Sequence, residues 1–339
     1  MNEIRVGIVG LGRLGKVHAH NLAYNVANAT LYAVCSPLDS EIEYAKNELG
    51  VKVGYTDYED MVKDEQVDAI FIVSPSGLHC TQIQLALKCG KHVFSEKPIG
   101  LNIDEINETI SVINQYPNQK FMLGFMRRFD KDYLYAKDLV EKGELGDLTL
   151  IRCYGIDPSD GLESFVKFAG SSNSGGLFAD MSIHDIDLIR WFTGQEVKKV
   201  WAIGKNAAYK ELDDVGELET GAAMLQLGDN TMGILVAGRN CHHGYHVETE
   251  LIGTKGMLRI AQVPEKNLVT IMNEHGVVRP TSQNFPERFS QAFINEANDF
   301  IECILTDRQP SVNAIDGLES TKVALACKES YEKNQLITV

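Results

Sequence analysis

The sequence predicts an α/β protein with two domains: a doubly wound parallel sheet comes first, and an α+β domain with a large, mainly antiparallel sheet follows. Strand-like apolar runs alternate with helical segments up to residue 124, which implies right-handed crossovers and parallel strands. Beyond residue 125, two helical segments are followed by several β-rich segments, and turn residues separate the later ones. The length of 339 residues exceeds that of a usual single domain. We therefore predict domains at residues 1–124 and 125–339.

The first strand runs directly into a glycine-rich turn. Residues 4–9 are a β-branched apolar run, Gly10, Gly12 and Gly15 follow in a G-x-G-x-x-G pattern, and residues 16–27 suit a helix. Gly10 permits the tight turn, Gly12 lets the backbone approach a pyrophosphate, and Gly15 lets helix and strand pack closely. The helix N-terminus presents N–H groups and a partial positive charge to phosphates. The strand, turn and helix together predict a dinucleotide-binding site.

The remaining elements follow from apolar runs, helical spacing and turn residues. In the first domain, a helix spans residues 78–89, and the further strands are residues 31–35, 68–73, 91–95 and 120–124. In the second domain, the predicted helices are residues 130–141, 180–192, 288–306 and 314–333. The predicted strands there are residues 148–154, 197–204, 220–227, 231–237, 246–252 and 257–261. Turn residues at 228–230 and 254–256 favour hairpins or a meander.

Charge and cysteine usage exclude several classes of partner. A net charge of −15 opposes binding to nucleic acid and to anionic membranes. The seven cysteines are scattered singly with no C-x-x-C, which fits reduced cytosolic thiols better than a disulfide framework or a zinc site. No signal peptide precedes the first strand, and no apolar run is long enough to span a bilayer. We expect a cytoplasmic protein.

Two motifs carry residues suited to proton transfer. Lys97 follows Glu96 at the carboxyl end of a predicted parallel strand, the edge where ligands bind in such sheets. Pro98 fixes the backbone, so the ammonium of Lys97 is aimed; the alternative is an ordinary surface charge. Asp180 and His184 lie four residues apart, which places both on one face of a helix. A carboxylate beside an imidazole suits a general base, and the alternative is a helix-start carboxylate with a structural histidine.

Two further clusters accompany these motifs. Arg127 and Arg128 fall at the predicted domain boundary, where one suits a salt bridge and the other a ligand cleft. Three histidines occur within residues 242–246, but their spacing matches no zinc motif. We therefore predict no metal, and we expect this loop to line a polar cleft.

Together these motifs resemble the Gfo/Idh/MocA oxidoreductase family, most closely its inositol dehydrogenases, over essentially the whole chain. The resemblance is carried by the glycine-rich turn, the E-K-P motif, the G-F-M-R-R-F-D string of residues 124–130, the Asp180 and His184 pair, and Gly244-Tyr245. It implies a Rossmann domain followed by an α+β domain with an open sheet whose face mediates homotetramers. It also implies a cis peptide bond before Pro98.

The resemblance implies roles for individual residues. Lys97 hydrogen-bonds the reacting hydroxyl, His184 accepts its proton, and Asp180 orients His184. The substrate-binding set is Lys97, Arg127, Asp157, Asp180, His184 and Tyr245. The cofactor-binding set is Gly10, Gly12, Arg13, Leu14, Gly15, Ser36, Ser74, Pro75, His79, Glu96, Lys97 and Arg127.

One departure from the family pattern bears on the choice of cofactor. Ser36 stands after the second strand, where NAD-dependent members usually carry an acid that binds the adenosine ribose. This loss removes a barrier to NADP. However, no lysine or arginine follows until Lys46, while Asp39, Glu41 and Glu43 are acidic and repel a 2′-phosphate. We therefore expect NAD as the cofactor.

The expected reaction is the reversible oxidation of one secondary alcohol of a cyclic polyol, first of all myo-inositol to an inosose. Three alternatives stay open: scyllo-inositol or another sugar as the substrate with NAD or NADP, NAD-assisted glycoside chemistry, and a nucleotide sensor without catalysis. The expected partners are a small polyol and further copies of the chain in a homotetramer, with no nucleic acid or membrane.

Overall fold

The computed structural model of this chain describes residues 3–169, 175–261, 264–274 and 276–339. The chain divides into two compact units. Unit 1 is formed by the chain up to Phe129 together with Gln291–Leu318. Unit 2 is formed by Asp130–Ser290 together with Glu319–Val339.

Unit 1 contains a six-stranded parallel sheet with the strand order β3-β2-β1-β4-β5-β6, which confirms the predicted doubly wound sheet. Its strands are β1 (Ile4–Val9), β2 (Ala29–Cys35), β3 (Val53–Tyr55), β4 (Ala69–Ile72), β5 (His92–Glu96) and β6 (Phe121–Gly124). Its intervening helices are α1 (Arg13–Tyr24), α2 (Asp39–Leu49), α3 (Tyr58–Lys63), α4 (His79–Lys88) and α5 (Ile103–Gln115). The three-residue β3 is too short to leave a periodic pattern in the sequence.

Unit 2 contains a seven-stranded sheet with the order β12-β11-β7-β10-β9-β8-β15, and among its described strands only β7 and β10 pair in parallel. Its strands are β7 (Leu148–Pro158), β8 (Val197–Lys205), β9 (Thr220–Leu227), β10 (Met232–Cys241), β11 (His246–Gly253), β12 (Met257–Ile260) and β15 (Ile337–Thr338). Strands β13 (Ile271–Asn273) and β14 (Gly276–Val278) form a separate hairpin. The predicted large, mainly antiparallel sheet is thus confirmed.

The later helices are α6 (Lys131–Glu141), α7 (Leu162–Ala169), α8 (Ile183–Thr193), α9 (Phe285–Leu305) and α10 (Ala314–Lys333). A short π-helix, Phe178–Ser182, directly precedes α8. The backbone of α9 leaves helical geometry at Phe289, two residues before the chain re-enters unit 1. Among the described residues, no helix combines the length and the apolar character needed to cross a bilayer.

Aromatic side chains from both chain segments of unit 1 form its core, which explains why residues 291–318 are part of this unit. Phe71 and Phe94 stack with ring centroids 4.4 Å apart, and Phe300 packs edge-on against both at 5.6 and 5.9 Å. Phe293 packs edge-on against His18 at 5.4 Å. The linear boundary predicted at residues 124 and 125 therefore differs from the observed division, because aromatic burial returns residues 291–318 to unit 1.

Candidate active site

The glycine-rich turn has the geometry that a dinucleotide requires. Gly10 has φ +88°, and a Cβ added there would lie 2.5 Å from the Val73 carbonyl oxygen. A Cβ on Gly15 would lie 1.9 Å from the Gly10 carbonyl oxygen, so the helix packs against the turn only with glycine. A Cβ on Gly12 would have no neighbour within 4 Å among the described residues. Gly12 thus leaves open space at the N-terminus of α1, which fits a pyrophosphate group.

Arg13 and Leu14 occupy the first two positions of α1, immediately beside this open space. The first intrahelical bond runs from the Lys16 N–H to the Gly12 carbonyl at 3.0 Å. The helix therefore starts three residues earlier than predicted from the apolar pattern. The earlier start places the backbone amides of its first turn directly after the glycine turn, where they suit an anion.

Ser36 is fully buried, and its hydroxyl makes two hydrogen bonds. The hydroxyl donates to Glu41 Oε2 at 2.5 Å and accepts the Leu38 N–H at 3.1 Å. This arrangement holds the half-buried Glu41 carboxylate just beyond the end of β2. A carboxylate thus lies next to Ser36, where the family pattern has an acid, although it comes from the first turn of α2. Sequence reasoning named Glu41 only as part of the local negative charge.

The loops after β4 and β5 are joined by His79, which is 1% exposed. One ring nitrogen lies 2.8 Å from the Ser74 carbonyl oxygen and the other 2.7 Å from that of Pro98. Burial lowers the pKa of His79, although both carbonyl contacts favour the charged ring. Both ring nitrogens of His79 thus face protein carbonyls and link the two loops, while its predicted contact with the cofactor stays a prediction.

Ser74 and Pro75 lie at the carboxyl end of β4, the predicted cofactor edge. The Ser74 hydroxyl donates to Gln82 Oε1 at 2.5 Å, which ties this loop to α4. The Ser74 side chain therefore helps to hold the loop that follows β4. This loop passes close to Gly10, because a Cβ added to Gly10 would clash with the backbone of Val73.

Glu96 points into the interior of unit 1. Its Oε1 lies 2.8 Å from His18 Nε2, and its Oε2 accepts the backbone N–H of Lys97 at 3.1 Å. Both carboxylate oxygens of Glu96 are thus engaged within unit 1, and its predicted contact with the cofactor stays a prediction. The following Lys97–Pro98 peptide bond is cis, as the family resemblance implies.

A second carboxyl group accompanies this pair. Glu296 from α9 is fully buried, and its ligand atoms lie within 4.8 Å of those of Glu96 and His18. Burial raises the pKa of Glu296 well above its usual range, and the charge of Glu96 raises it further. The sequence signal that could have found it is a glutamate on the apolar stripe of a helix.

The two neighbouring arginines have separate positions in unit 1. The Arg128 guanidinium donates to Asp316 Oδ1 at 3.0 Å, and this pair is the salt bridge expected of one of the two. Arg127 is buried within the 3₁₀ turn Met126–Phe129, which follows β6 at the ligand edge of the sheet. Arg127 thus remains the candidate for binding a ligand.

Asp180 lies in the π-helix and His184 in the first turn of α8, where the imidazole is buried. Arg239 from β10 donates from Nη1 to Asp180 Oδ2 at 2.8 Å. The Arg239 guanidinium carbon lies 3.7 Å from the centroid of the Phe165 ring. Single-turn π-helices occur often at functional sites.

Arg239 is the partner of Asp180 that sequence reasoning missed. It is buried within β10, where every other residue except Asn240 is apolar or small. A buried arginine in such a strand is the signal that could have indicated a role.

Asp157 and Tyr245 lie in unit 2 near the ends of paired strands. β7 runs on to Pro158, so Asp157 lies within a strand and not in the loop expected from the sequence. The Tyr245 N–H donates to the Ser282 carbonyl at 2.7 Å, and its ring packs edge-on against Phe289 at 6.3 Å. Backbone and ring contacts thus fix the position of Tyr245 in unit 2.

Unit 2 also contains an open polar cavity of about 600 Å³, lined by charged side chains that include Asp132, Arg279 and Arg288. Thr281 and Ser282, which contact the turn before β11, also line it. None of the predicted site residues is among the described residues that line this cavity.

Comparison with known families covers both units. A family described as "Oxidoreductase family, NAD-binding Rossmann fold" matches residues 4–125. The "GFO/IDH/MocA C-terminal domain" matches residues 133–259. Among characterised relatives, the myo-inositol 2-dehydrogenase of Thermotoga maritima is 30% identical over 334 residues, which is 98% of each chain.

Two solved structures are similar along nearly the whole chain. The scyllo-inositol dehydrogenase of Lactobacillus casei with bound NAD(H) and scyllo-inositol is 63% identical, with a TM-score of 0.97 over 99% of this chain and 98% of that one. The myo-inositol 2-dehydrogenase of Lactobacillus plantarum is 46% identical, with a TM-score of 0.97 over 99% of each chain.

Proposed function

The chain belongs to the Gfo/Idh/MocA oxidoreductase family, and from this premise we propose that it oxidises a secondary alcohol of an inositol to the ketone with NAD. The family predicted from the sequence motifs is thus confirmed. The observation that carries the proposal is the full-length likeness to inositol dehydrogenases, one of which holds NAD(H) and scyllo-inositol.

The glycine turn, the start of α1 and the loop at Ser74 and Pro75 suit the cofactor. Bound NAD supplies the hydride acceptor. The residues of this chain supply binding, orientation and proton transfer. We assign the pyrophosphate to Gly12 and the first-turn amides of α1, because a Cβ would project there into open space.

We assign proton transfer to His184, which removes the proton of the reacting hydroxyl. Lys97 donates a hydrogen bond to the same oxygen and stabilises the negative charge that develops there. Asp180, itself held by Arg239, orients the imidazole and stabilises its charged form. Arg127, Asp157 and Tyr245 bind further hydroxyls of the ring, so that an isomer with a misplaced hydroxyl leaves buried partners unpaired.

We assign NAD in preference to NADP from the group at the end of β2. Ser36 holds the Glu41 carboxylate there, and this charge repels a 2′-phosphate. The same carboxylate suits the ribose hydroxyls of NAD as a hydrogen-bond acceptor.

The first candidate substrate is myo-inositol, and scyllo-inositol is the second. The second is favoured by the higher identity to the scyllo-inositol dehydrogenase of L. casei than to the myo-inositol 2-dehydrogenase of L. plantarum. The two isomers differ only in the configuration of one carbon, so oxidation at that carbon gives the same ketone from both. The chemistry assigned to His184 and Lys97 is therefore unchanged between the two substrates.

We propose a homotetramer formed through the open face of the large sheet. Trp201 on β8 is 40% exposed, and its register partner Met224 on β9 is 55% exposed. Exposed apolar side chains in adjacent strands mark an association surface. We also propose a cytoplasmic location, which accords with seven free cysteines.

The decisive experiment follows the absorbance of NADH while myo-inositol, scyllo-inositol and a set of aldoses are tested with NAD and NADP. We expect NADH to form with an inositol, more slowly or not at all with aldoses, and faster with NAD than with NADP. The ratio of kcat/KM for the two inositols decides between the candidate substrates. Conversion of a glycoside without net NADH would favour glycoside chemistry, and NAD binding without turnover of any polyol would favour a sensor.

A further inference from the structure

A cysteine and two histidines converge where β10 is joined to β11. Cys241 ends β10, His243 lies in the turn, and His246 begins β11. His243 Nε2 lies 3.4 Å from Cys241 Sγ and 3.1 Å from His246 Nδ1. All three ligand atoms lie within 4.8 Å of one another. We propose that Cys241, His243 and His246 form a binding site for a zinc ion in unit 2.

The distances match those of a tetrahedral zinc site. Zn–S bonds of about 2.3 Å and Zn–N bonds of about 2.0–2.1 Å place tetrahedral N and S ligands about 3.5 Å apart and two N ligands about 3.3 Å apart. The observed separations of 3.4 Å and 3.1 Å lie close to these values. Two of the three ligand pairs therefore already have separations that suit tetrahedral zinc, and in three-ligand zinc sites water supplies the fourth ligand.

The second ring nitrogen of His246 lies next to a carboxylate, which is a usual partner of a zinc-binding histidine. His246 Nε2 lies 3.3 Å from Glu248 Oε2. When Nδ1 binds zinc, Nε2 carries the proton and donates a hydrogen bond to this carboxylate, which fixes the tautomer and strengthens the ligand. Glu248 Oε1 also lies 3.8 Å from Arg152 Nη2 and 3.9 Å from Arg259 Nε, which hold the carboxylate in place.

The turn that carries the ligands is already held in one conformation. Gly244 has φ +111°, and a Cβ there would lie 2.5 Å from the Ser282 carbonyl oxygen. The His243 carbonyl accepts the Thr281 hydroxyl. The ring of Tyr154 stacks on His246 with an interplanar angle of 11°. A turn fixed from three sides loses little further freedom when the ion binds.

The proton balance of binding follows from the ligand types. Zinc binds cysteine as the thiolate and histidine through a neutral ring nitrogen. Formation of the Zn–S bond therefore releases the thiol proton of Cys241 to the buffer.

This proposal departs from the prediction of no metal, which considered the histidines of residues 242–246 without their neighbours. The sequence alone presents Cys241 as one of seven scattered cysteines. The structure shows that its sulfur contacts the His243 ring, while His246 Nε2 faces Glu248. Without zinc, the same four groups form a chain of hydrogen bonds, and the experiment must separate these two states.

Cobalt(II) is the probe, since it replaces zinc and reports its ligands. We expect the full chain, stripped with a chelator, to bind one Co(II) per chain, with visible bands of tetrahedral cobalt and a near-ultraviolet band from thiolate to cobalt. Added Zn(II) should displace the cobalt and remove both features. These readouts do not depend on dehydrogenase activity, so they test the zinc site independently of the proposed function.

Variants assign the ligands. Cys241→Ser should remove the thiolate band, His243→Ala should weaken Co(II) binding, and Glu248→Gln should lower affinity about 10–100-fold. His242→Ala is the matched control, because the His242 ring lies 3.5 Å from Ser159 Oγ instead. Thermal unfolding of each variant checks that it is folded. A thiolate band that persists in folded Cys241→Ser, or no cobalt spectrum in the parent chain, overturns the proposal.

Discussion

Arg239 donates to Asp180 through Nη1 at 2.8 Å and lays its guanidinium over the Phe165 ring. The guanidinium is buried, so the pair is shielded from solvent screening on the arginine side. Arg239 thus fixes one oxygen of the carboxylate to which we assign the orientation of His184.

Replacement of Arg239 should impair catalysis through Asp180. We expect Arg239→Met to lower kcat by about 10–100-fold, since small displacements of a catalytic group cost that much, while KM changes less. Steady-state kinetics of the folded variant measure this. Arg279→Met removes an exposed ion pair with Glu265 and serves as the control. Equal kinetics of Arg239→Met and wild type would remove Arg239 from this role.

Loss of the imidazole of His184 should remove the general base. We expect His184→Ala to lower kcat by about 100-fold or more, with NAD binding retained. NADH formation and a separate NAD titration measure the two effects. His242→Ala, a histidine outside the assigned site, should keep wild-type kcat. Near-normal turnover by His184→Ala would contradict the assignment.

Reversal of the charge at Glu41 should change the cofactor preference. We expect Glu41→Arg to raise the ratio of kcat/KM for NADP to that for NAD by about tenfold, which corresponds to about 1.4 kcal/mol. The reason is that Ser36 holds this carboxylate at the end of β2. Glu43→Arg, on the exposed side of the same helix, is the control. An equal shift in both variants would show a general charge effect instead.

Glu296 should make the stability of the protein fall as pH rises. Its pKa is raised in the folded state, so between the unfolded and folded pKa values the unfolded chain releases a proton that the folded chain keeps. The folded state then loses about 1.4 kcal/mol per pH unit relative to a variant that does not titrate.

We therefore expect Glu296→Gln to melt increasingly above wild type as pH is raised from 5 to 8. Thermal midpoints of both proteins across this range test it, and Glu302→Gln, on the same helix, is the control. A difference in midpoint that does not vary with pH would contradict protonation of Glu296 in the folded state.

The open face of the large sheet should hold the oligomer together. We expect Trp201→Glu to dissociate the proposed homotetramer, because it places a charge opposite an apolar surface. Size-exclusion chromatography with light scattering gives the mass. Leu268→Glu, at a side chain that is 98% exposed outside this sheet, should leave the mass unchanged. A tetramer that persists in Trp201→Glu would place the interface elsewhere.

Most of the architecture was predictable because its signals are local. Alternating apolar and helical runs predicted five of the six parallel strands, and the glycine spacing predicted the turn that the structure shows at Gly10 to Gly15. The division into units was less predictable, since Phe293 and Phe300 join the core of unit 1 from far along the chain.

The sequence by itself determined the fold class, the family and the residue types that the chemistry requires. Only the tertiary structure decided their partners: Arg239 for Asp180, Glu41 for Ser36, and His18 with Glu296 for Glu96. The physical reason is the distance along the chain over which each effect acts. Periodicity and turn stereochemistry act between neighbours in the chain, whereas these pairs, apart from Ser36 and Glu41, join residues 59 or more positions apart, and packing alone brings them together.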